Sequence, residues 1–223
     1  FQEALDCCNK IKLEAIAPDT CTFLCFLKAC CQYGDIVKSR EMHTGIIKGG
    51  LDGELYLASA MVDSYAKCHS LEEARDVFEK IQVRNVVSWS ALIAGYVQHG
   101  HGHTALECFK RMKDDGVSPN AVTFTCILKA CGSVRCVELG KEIHAEVKVK
   151  GLLEKDILLG NTLVDMYAKC GMLGKAFAVF HKLPKRDVVS WNALITGYTQ
   201  HGHDDSALEC FREMVDKGVT PNI

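Results

Sequence analysis

The sequence predicts an all-α fold, an α-α superhelix (solenoid) of stacked helix-turn-helix units. Three observations predict it. A long internal repeat runs through the chain. Within each repeat, apolar residues recur at helical spacing. Proline is scarce, at 4 of 223 residues, as high helical content requires.

The repeat is plainest where two stretches align without a gap. Val86 to Asn120 reads VVSWSALIAGYVQHGHGHTALECFKRMKDDGVSPN. Val188 to Asn222 reads VVSWNALITGYTQHGHDDSALECFREMVDKGVTPN, and 24 of the 35 positions are identical. Ala4 to Asp19 aligns with Ala105 to Asn120, so a partial copy opens the chain. Thr22 to Cys30 (TFLCFLKAC) matches Thr123 to Cys131 (TFTCILKAC), and Met61 to Cys68 (MVDSYAKC) matches Leu163 to Cys170 (LVDMYAKC). The chain thus reads as a single array. A partial unit spans 1–19, and three kinds of unit alternate after it: 20–54 and 121–156, 55–85 and 157–187, 86–120 and 188–222.

Each unit reads as two short helices. Trp89, Leu92, Ile93 and Tyr96 share one helix face. Gly100 marks a turn, Ala105, Leu106, Phe109 and Met112 form the face of a second helix, and Gly116 with Pro119 closes the unit. Leu71, Ala74, Val77 and Phe78 repeat the second-helix pattern, as do Leu173, Ala176, Val179 and Phe180. A lone pair of helices cannot bury its apolar face, whereas stacked neighbours can.

Composition narrows the function. The formal net charge is −2, so no global basic signal marks a non-specific polyanion binder, although a local basic groove remains open to such a chain. No apolar run reaches the length of a membrane span, and no membrane partner is expected. Phe1 is not an initiator methionine, and the chain reads as part of a longer protein with any targeting segment outside it.

The candidate chemistry mostly dissolves into the repeat. Of 13 cysteines, nine occupy equivalent positions: Cys7, Cys108 and Cys210; Cys25 and Cys126; Cys30 and Cys131; Cys68 and Cys170. They read as small buried hydrophobes rather than ligands, and no Cys-x2-Cys pair is present to hold zinc. His144-Ala145-Glu146 matches the His-x-Glu of zinc nucleobase deaminases, but only Cys170 and Cys210 follow it, too far apart to complete the metal site. His99, His101, His103, His201 and His203 sit at inter-helix turns. Trp89 and Trp191 lie on the apolar face and read as core. Lys148, Lys150 and Lys155 read as a solvated basic cluster. No catalytic residue, metal or cofactor is expected.

Units of this length fit tetratricopeptide or pentatricopeptide repeats. The Trp, Leu and Tyr of the tetratricopeptide pattern are present at Trp89, Leu92 and Tyr96, but its glycine is not. VVSWNALITGY and the endings GVSPN and GVTPN closely resemble pentatricopeptide repeats. The alternating unit lengths resemble the plant PLS subclass, with 20–54 and 121–156 as L, 55–85 and 157–187 as S, and 86–120 and 188–222 as P, the first 19 residues being a partial P.

The resemblance implies sequence-specific binding of single-stranded RNA, one base per repeat. It implies that the fifth residue of each unit faces the groove and reads the base edge, while the last residue supports it. Those pairs are Ser59 with Asn85, Ser90 with Asn120, Asn161 with Asp187, and Asn192 with Asn222. The L units offer a weaker pair, Thr125 with Asp156, and a silent one, Leu24 with Glu54. The second residues, Tyr56, Val87, Val122, Leu158 and Val189, with Cys21 in the first L unit, would sandwich the bases. The implied register is 5′-A-A-N-U-Y-3′. The resemblance further implies a role in organellar C-to-U RNA editing or RNA processing, in mitochondrion or chloroplast. An editing cofactor protein would dock on L units, and no DNA partner is expected. The alternative is a tetratricopeptide-like scaffold that binds protein and not RNA.

Overall fold

The computed structural model describes residues 18–221. Most of the partial first copy, with Cys7, and the base-reading candidate Asn222 lie outside the described residues. Twelve α-helices occupy the described residues: α1 (Thr20–Tyr33), α2 (Ile36–Lys48), α3 (Leu55–Lys67), α4 (Leu71–Lys80), α5 (Val86–Gln98), α6 (Gly102–Asp114), α7 (Ala121–Val134), α8 (Val137–Val149), α9 (Ile157–Lys169), α10 (Leu173–Lys182), α11 (Val188–Gln200) and α12 (Asp204–Asp216). The odd-numbered helices are the first helices of successive hairpins.

The helices group into two compact units. The first holds residues 18–99 and Glu107–Ser118. In it, α3 packs against α1 and α5, the first helices of its neighbours, and against its own partner α4. The second holds Gly100–Leu106 and residues 119–221. There α9 packs against α7, α11 and α10 in the same way.

This arrangement explains the two kinds of helix in the sequence. A first helix has neighbours on several sides, and α9 accordingly buries Leu159 through Val164 and Met166 through Ala168. A second helix has one covered face, and α10 buries only Ala176, Val179 and Phe180. Helices covered on most sides can be apolar all round, whereas half-covered ones must be amphipathic.

Small residues set the spacing of the first helices. A Cβ placed on Gly95 of α5 would stand 2.5 Å from the Ala66 Cβ of α3. In the second unit, Gly197 of α11 meets Ala168 of α9 at the same 2.5 Å. His99 reinforces the first contact, its Nε2 lying 2.6 Å from the Ala66 carbonyl oxygen.

In each compact unit an aromatic clasp holds two successive hairpins together, α3–α4 to α5 in the first and α9–α10 to α11 in the second. Trp89 is fully buried and meets Phe78 edge-on at 4.6 Å. Trp191 repeats this with Phe180 at 4.5 Å. Arg84 lies over the Phe78 ring and Arg186 over the Phe180 ring. Both guanidinium groups also donate to the last carbonyls of the preceding helix, Arg84 to Phe78 and Glu79, and Arg186 to Phe180 and His181. A cation satisfying orphan carbonyls at a helix C-terminus is favoured by the helix dipole as well as by hydrogen bonding.

One buried contact differs between the two units by a matched exchange. In the first, Ser39 and Ser64 share a buried hydrogen bond of 2.8 Å. At the equivalent places of the second stand Gly140 and Met166, and a Cβ on Gly140 would lie 2.7 Å from the Met166 sulfur. The long thioether fills the space that the serine pair occupies, which requires the other partner to shrink.

The glycines give a paired stability test. Gly197→Ala should lower stability by about 1–3 kcal/mol, because the new methyl meets Ala168. Gly174→Ala, in α10 with nothing within 4 Å, should raise it by about 0.5–1 kcal/mol through helix propensity. Urea denaturation followed by circular dichroism reads both.

Candidate nucleic-acid interface

The residues singled out for base reading sit at three recurring places: the N-cap, the second residue and the fifth residue of each first helix. The N-cap place has a local cause. The first N–H groups of a helix have no intrahelical partner, and an Asn or Asp oxygen supplies one. Asn85 Oδ1 accepts from the backbone N–H of Val87 and Ser88, both at 2.9 Å. Asn120 Oδ1 accepts from Thr123 at 2.9 Å, Asp156 from Leu159 at 3.1 Å and Asp187 from Ser190 at 2.9 Å. Ser88 and Thr123 return the bond to the Asn85 and Asn120 backbone N–H groups, completing capping boxes. Glu54 makes no side-chain cap; its carboxylate accepts from Thr20 Oγ1 at 3.2 Å.

Capping was missed in reading these positions from sequence. The signal was present as Asn or Asp followed three residues later by Ser or Thr, at Asp19, Asn85, Asn120 and Asp187. Asn and Asp therefore recur at the unit ends partly because a helix begins there.

The fifth positions, expected to face the groove, are largely enclosed. Ser59, Ser90, Thr125 and Asn161 are only 5–7% exposed, and Asn192 and Leu24 are half-buried. The close packing of first helices on one another accounts for this. Ser59 Oγ donates to the Leu55 carbonyl at 2.8 Å, and Thr125 Oγ1 to Ala121 at 2.9 Å.

Asn161 differs. Its Nδ2 donates to Asp187 Oδ1 at 3.0 Å, so the fifth and last residues of unit 157–187 are joined. An ionised carboxylate only accepts, which assigns the amide nitrogen to Asp187 and turns the amide oxygen away from it. That oxygen is buried and has no hydrogen-bond partner. A buried acceptor left in this state costs about 1–3 kcal/mol.

The second positions carry large apolar side chains that are mostly in solvent. Tyr56 is 74% exposed, Val87 53%, Val122 58%, Leu158 55% and Val189 52%. Cys21 is exposed as well. One exposed apolar side chain would need no explanation, but in each unit the exposure recurs at the same register of successive first helices.

The other constellations have structural partners. Trp89 and Trp191 are inaccessible to a ligand. His144 Nδ1 lies 3.0 Å from the Tyr167 hydroxyl, and His43 repeats the contact with Tyr65 at 2.8 Å, so His144 belongs to a recurring packing pair. Among the described residues no cluster of three or more His, Cys, Asp or Glu could hold a metal ion. Cys30, Cys68, Cys108, Cys131 and Cys210 are buried, whereas Cys25 is exposed. Burial pushes the Cys108 thiol up to about 11 and Cys131 to about 12, so both behave as neutral apolar groups. Lys150 is paired with Glu146 at 2.8 Å.

Comparison with known proteins places the repeats in one family. The PPR repeat family model matches residues 84–133 and 186–223, and the PPR repeat model matches 57–86, 122–152 and 161–188. A putative pentatricopeptide repeat-containing protein of Arabidopsis thaliana is 36% identical over 222 residues, covering 100% of this chain and 31% of the relative. A chloroplastic relative from the same plant is 38% identical over 205 residues, covering 92% and 33%. A mitochondrial one is 36% identical over 221 residues, covering 99% and 34%. The chain thus spans about a third of the length of these relatives. Among solved structures, maize pentatricopeptide repeat protein PPR10 superposes with a TM-score of 0.72 at 18% identity, over 99% of this chain and 32% of that one. PPR10 in complex with an 18-nt psaJ RNA element gives 0.67 at 17% identity, over 99% and 38%. This likeness shows the all-helical solenoid fold.

The dual role of Asp187 is open to test. Asp187→Ala should lower stability by about 1–2 kcal/mol through loss of the cap, and Asp187→Asn by less. Glu54→Ala, with no cap bond to lose, should change it by no more than about 0.5 kcal/mol. Thermal and urea unfolding of the three variants give the comparison.

Proposed function

The chain belongs to the pentatricopeptide repeat family, and from that premise we propose that it binds single-stranded RNA sequence-specifically, one base per repeat. The observation that carries this reading is the joined pair Asn161 and Asp187. The pair leaves a buried acceptor oxygen with no partner in the chain. A base that brings a ring N–H to that oxygen, as uracil does at N3, satisfies it. Leu158 and Val189, exposed at 55% and 52%, are the apolar faces between which the base is held.

The same logic extends along the chain. Ser59 with Asn85, and Ser90 with Asn120, read adenine. Thr125 with Asp156 reads weakly, and Asn192 with Asn222 reads a pyrimidine. Tyr56, Val87 and Val122 complete the set of wedges. The target register is 5′-A-A-N-U-Y-3′. The array recognises and does not catalyse. Its unit lengths are those of the PLS arrangement, and it serves as the recognition part of an organellar C-to-U editing or RNA-processing factor. The chemistry belongs to another domain or partner, and an editing cofactor protein docks on the L units. Chloroplastic and mitochondrial relatives support an organellar location.

A second reading, a protein-binding scaffold, draws on the net charge of −2. It gives no reason for a row of exposed apolar residues beside an orphaned amide oxygen.

Binding assays on the 223-residue chain decide between them. RNA containing AANUY should bind in preference to scrambled RNA and to single-stranded DNA of the same sequence. Affinity should be modest and fall with added salt, as phosphate contacts require. Equal or absent binding to all three would refute RNA reading. The double variant Asn161→Ser with Asp187→Asn should shift preference at one position from U towards A. The expected discrimination is about 1–3 kcal/mol, by analogy with base-edge contacts in DNA. Competition titrations with RNAs changed at that single position measure it.

A further inference from the structure

The second unit carries a cleft that the base-reading face does not use. It has a volume of about 540 Å³ and lies between α8 and α10, above Tyr167 of α9. Its apolar lining includes Val179, Leu183 and Pro184. Around it stand Lys141, Lys148, Lys175 and Lys182, together with His144, and the one acidic residue in the lining is Glu154.

These lysines are poorly neutralised. Lys141 pairs with Glu138 at 2.6 Å, but that carboxylate is 75% exposed, and solvent screens such a pair. No carboxylate among the described residues lies within 4.0 Å of Lys148, Lys175 or Lys182. Lys175 instead lies over the Tyr167 ring at 5.7 Å. Burial, and then the charges of Lys148, Lys175 and Lys182, hold His144 below its ordinary range.

The first unit shows that the fold does not need this charge. Its equivalent cleft, of about 430 Å³, has Ile47 where Lys148 stands, Lys80 where Lys182 stands, and Asp52 as a carboxylate. Glu73 stands where Lys175 stands, and it is bonded to Arg40 Nε at 3.0 Å in place of the Lys141 and Lys175 pair of like charges. The same hairpins thus carry a balanced cleft in one unit and a cationic one in the other. Like charges gathered around an apolar floor with few counter-charges repel one another, and a bound anion relieves that repulsion.

We propose that the cleft between α8 and α10 is a binding site for a small organic anion with an apolar body. Its acidic group would meet Lys148, Lys175 and Lys182, and its body would lie on Val179, Leu183 and Pro184. The volume suits a ligand of that size. The site lies on second helices, apart from the N-cap, second and fifth positions of the first helices, and does not depend on the RNA reading.

The probe is 8-anilinonaphthalene-1-sulfonate, with the uncharged N-phenyl-1-naphthylamine as its control. Fluorescence titration of the full chain should saturate with the sulfonate, and its neutral counterpart should bind about tenfold more weakly. Amide resonances of Lys148, Lys175 and Lys182 should move with the sulfonate, while those of Asp52 and Lys80 stay still. The double variant Lys148→Ile with Lys175→Glu installs the first unit's residues, and should weaken the sulfonate about tenfold while leaving the circular dichroism unchanged and the Tm of the free chain no lower. Absence of saturable binding, equal affinity for the two dyes, or no effect of the double variant would overturn the proposal. Displacement of the dye by AANUY RNA would overturn it by making the cleft part of the nucleic-acid surface. Tighter binding of an acidic, apolar peptide than of the sulfonate would overturn it in favour of a protein-docking site.

Discussion

A helix pair of about 35 residues cannot cover its own apolar face, and the rest of this structure depends on how that is solved. Within each compact unit, the first helices pack directly on one another. Gly95 against Ala66 and Gly197 against Ala168 leave no room for a further methyl group. Because the contact runs from hairpin to hairpin, the first helices can be apolar almost all round. The second helices need only one apolar face. The Phe–Trp–Arg clasp then fixes α4 to α5 and α10 to α11, and lets an arginine satisfy the carbonyls where α4 and α10 end.

The proposed recognition surface is a by-product of that stacking. A first helix must begin at each hairpin, and its exposed N–H groups call for an Asn or Asp cap. The cap residue is held at the helix start, one turn before the fifth residue of its own helix. In the second unit it also reaches the fifth residue of the preceding first helix, as Asp187 does with Asn161. The residues beside the caps are the ones left uncovered, so Val87, Val122 and Val189 stand in solvent although they belong to apolar helices. One side chain can therefore serve the fold and the ligand together, and a loss of binding at such a site must be weighed against a loss of stability.

The internal repeat also works as a set of natural variants on one backbone. Ser39 with Ser64 and Gly140 with Met166 are two solutions to one buried volume, one polar and paired, the other apolar. Arg40 with Glu73 and Lys141 with Lys175 are two treatments of one surface, and only the first is neutral. Packing constrains the first exchange, since neither partner can change alone. No packing constraint requires the second, which is why a ligand is the more economical explanation for it.

Helical hairpins, their order and their turns were legible in the sequence, because apolar spacing and glycine punctuation are local properties. So was the unavailability of Trp89 and Trp191 as stacking platforms, since each lies on an apolar helix face. The second and fifth positions were singled out only through family resemblance, and nothing in the sequence showed how deeply the fifth positions are enclosed. Local pattern does not reveal how tightly one helix lies on the next, and that distance decides burial. The same limit hid the hydrogen bond between Asn161 and Asp187, which joins two helices. It also hid the orphaned oxygen that the bond leaves behind, and the gathering of four lysines from two helices around one cleft. Sequence determined which residues are present at each turn of each helix. Only tertiary packing decided which were sealed, which were paired and which were left facing solvent.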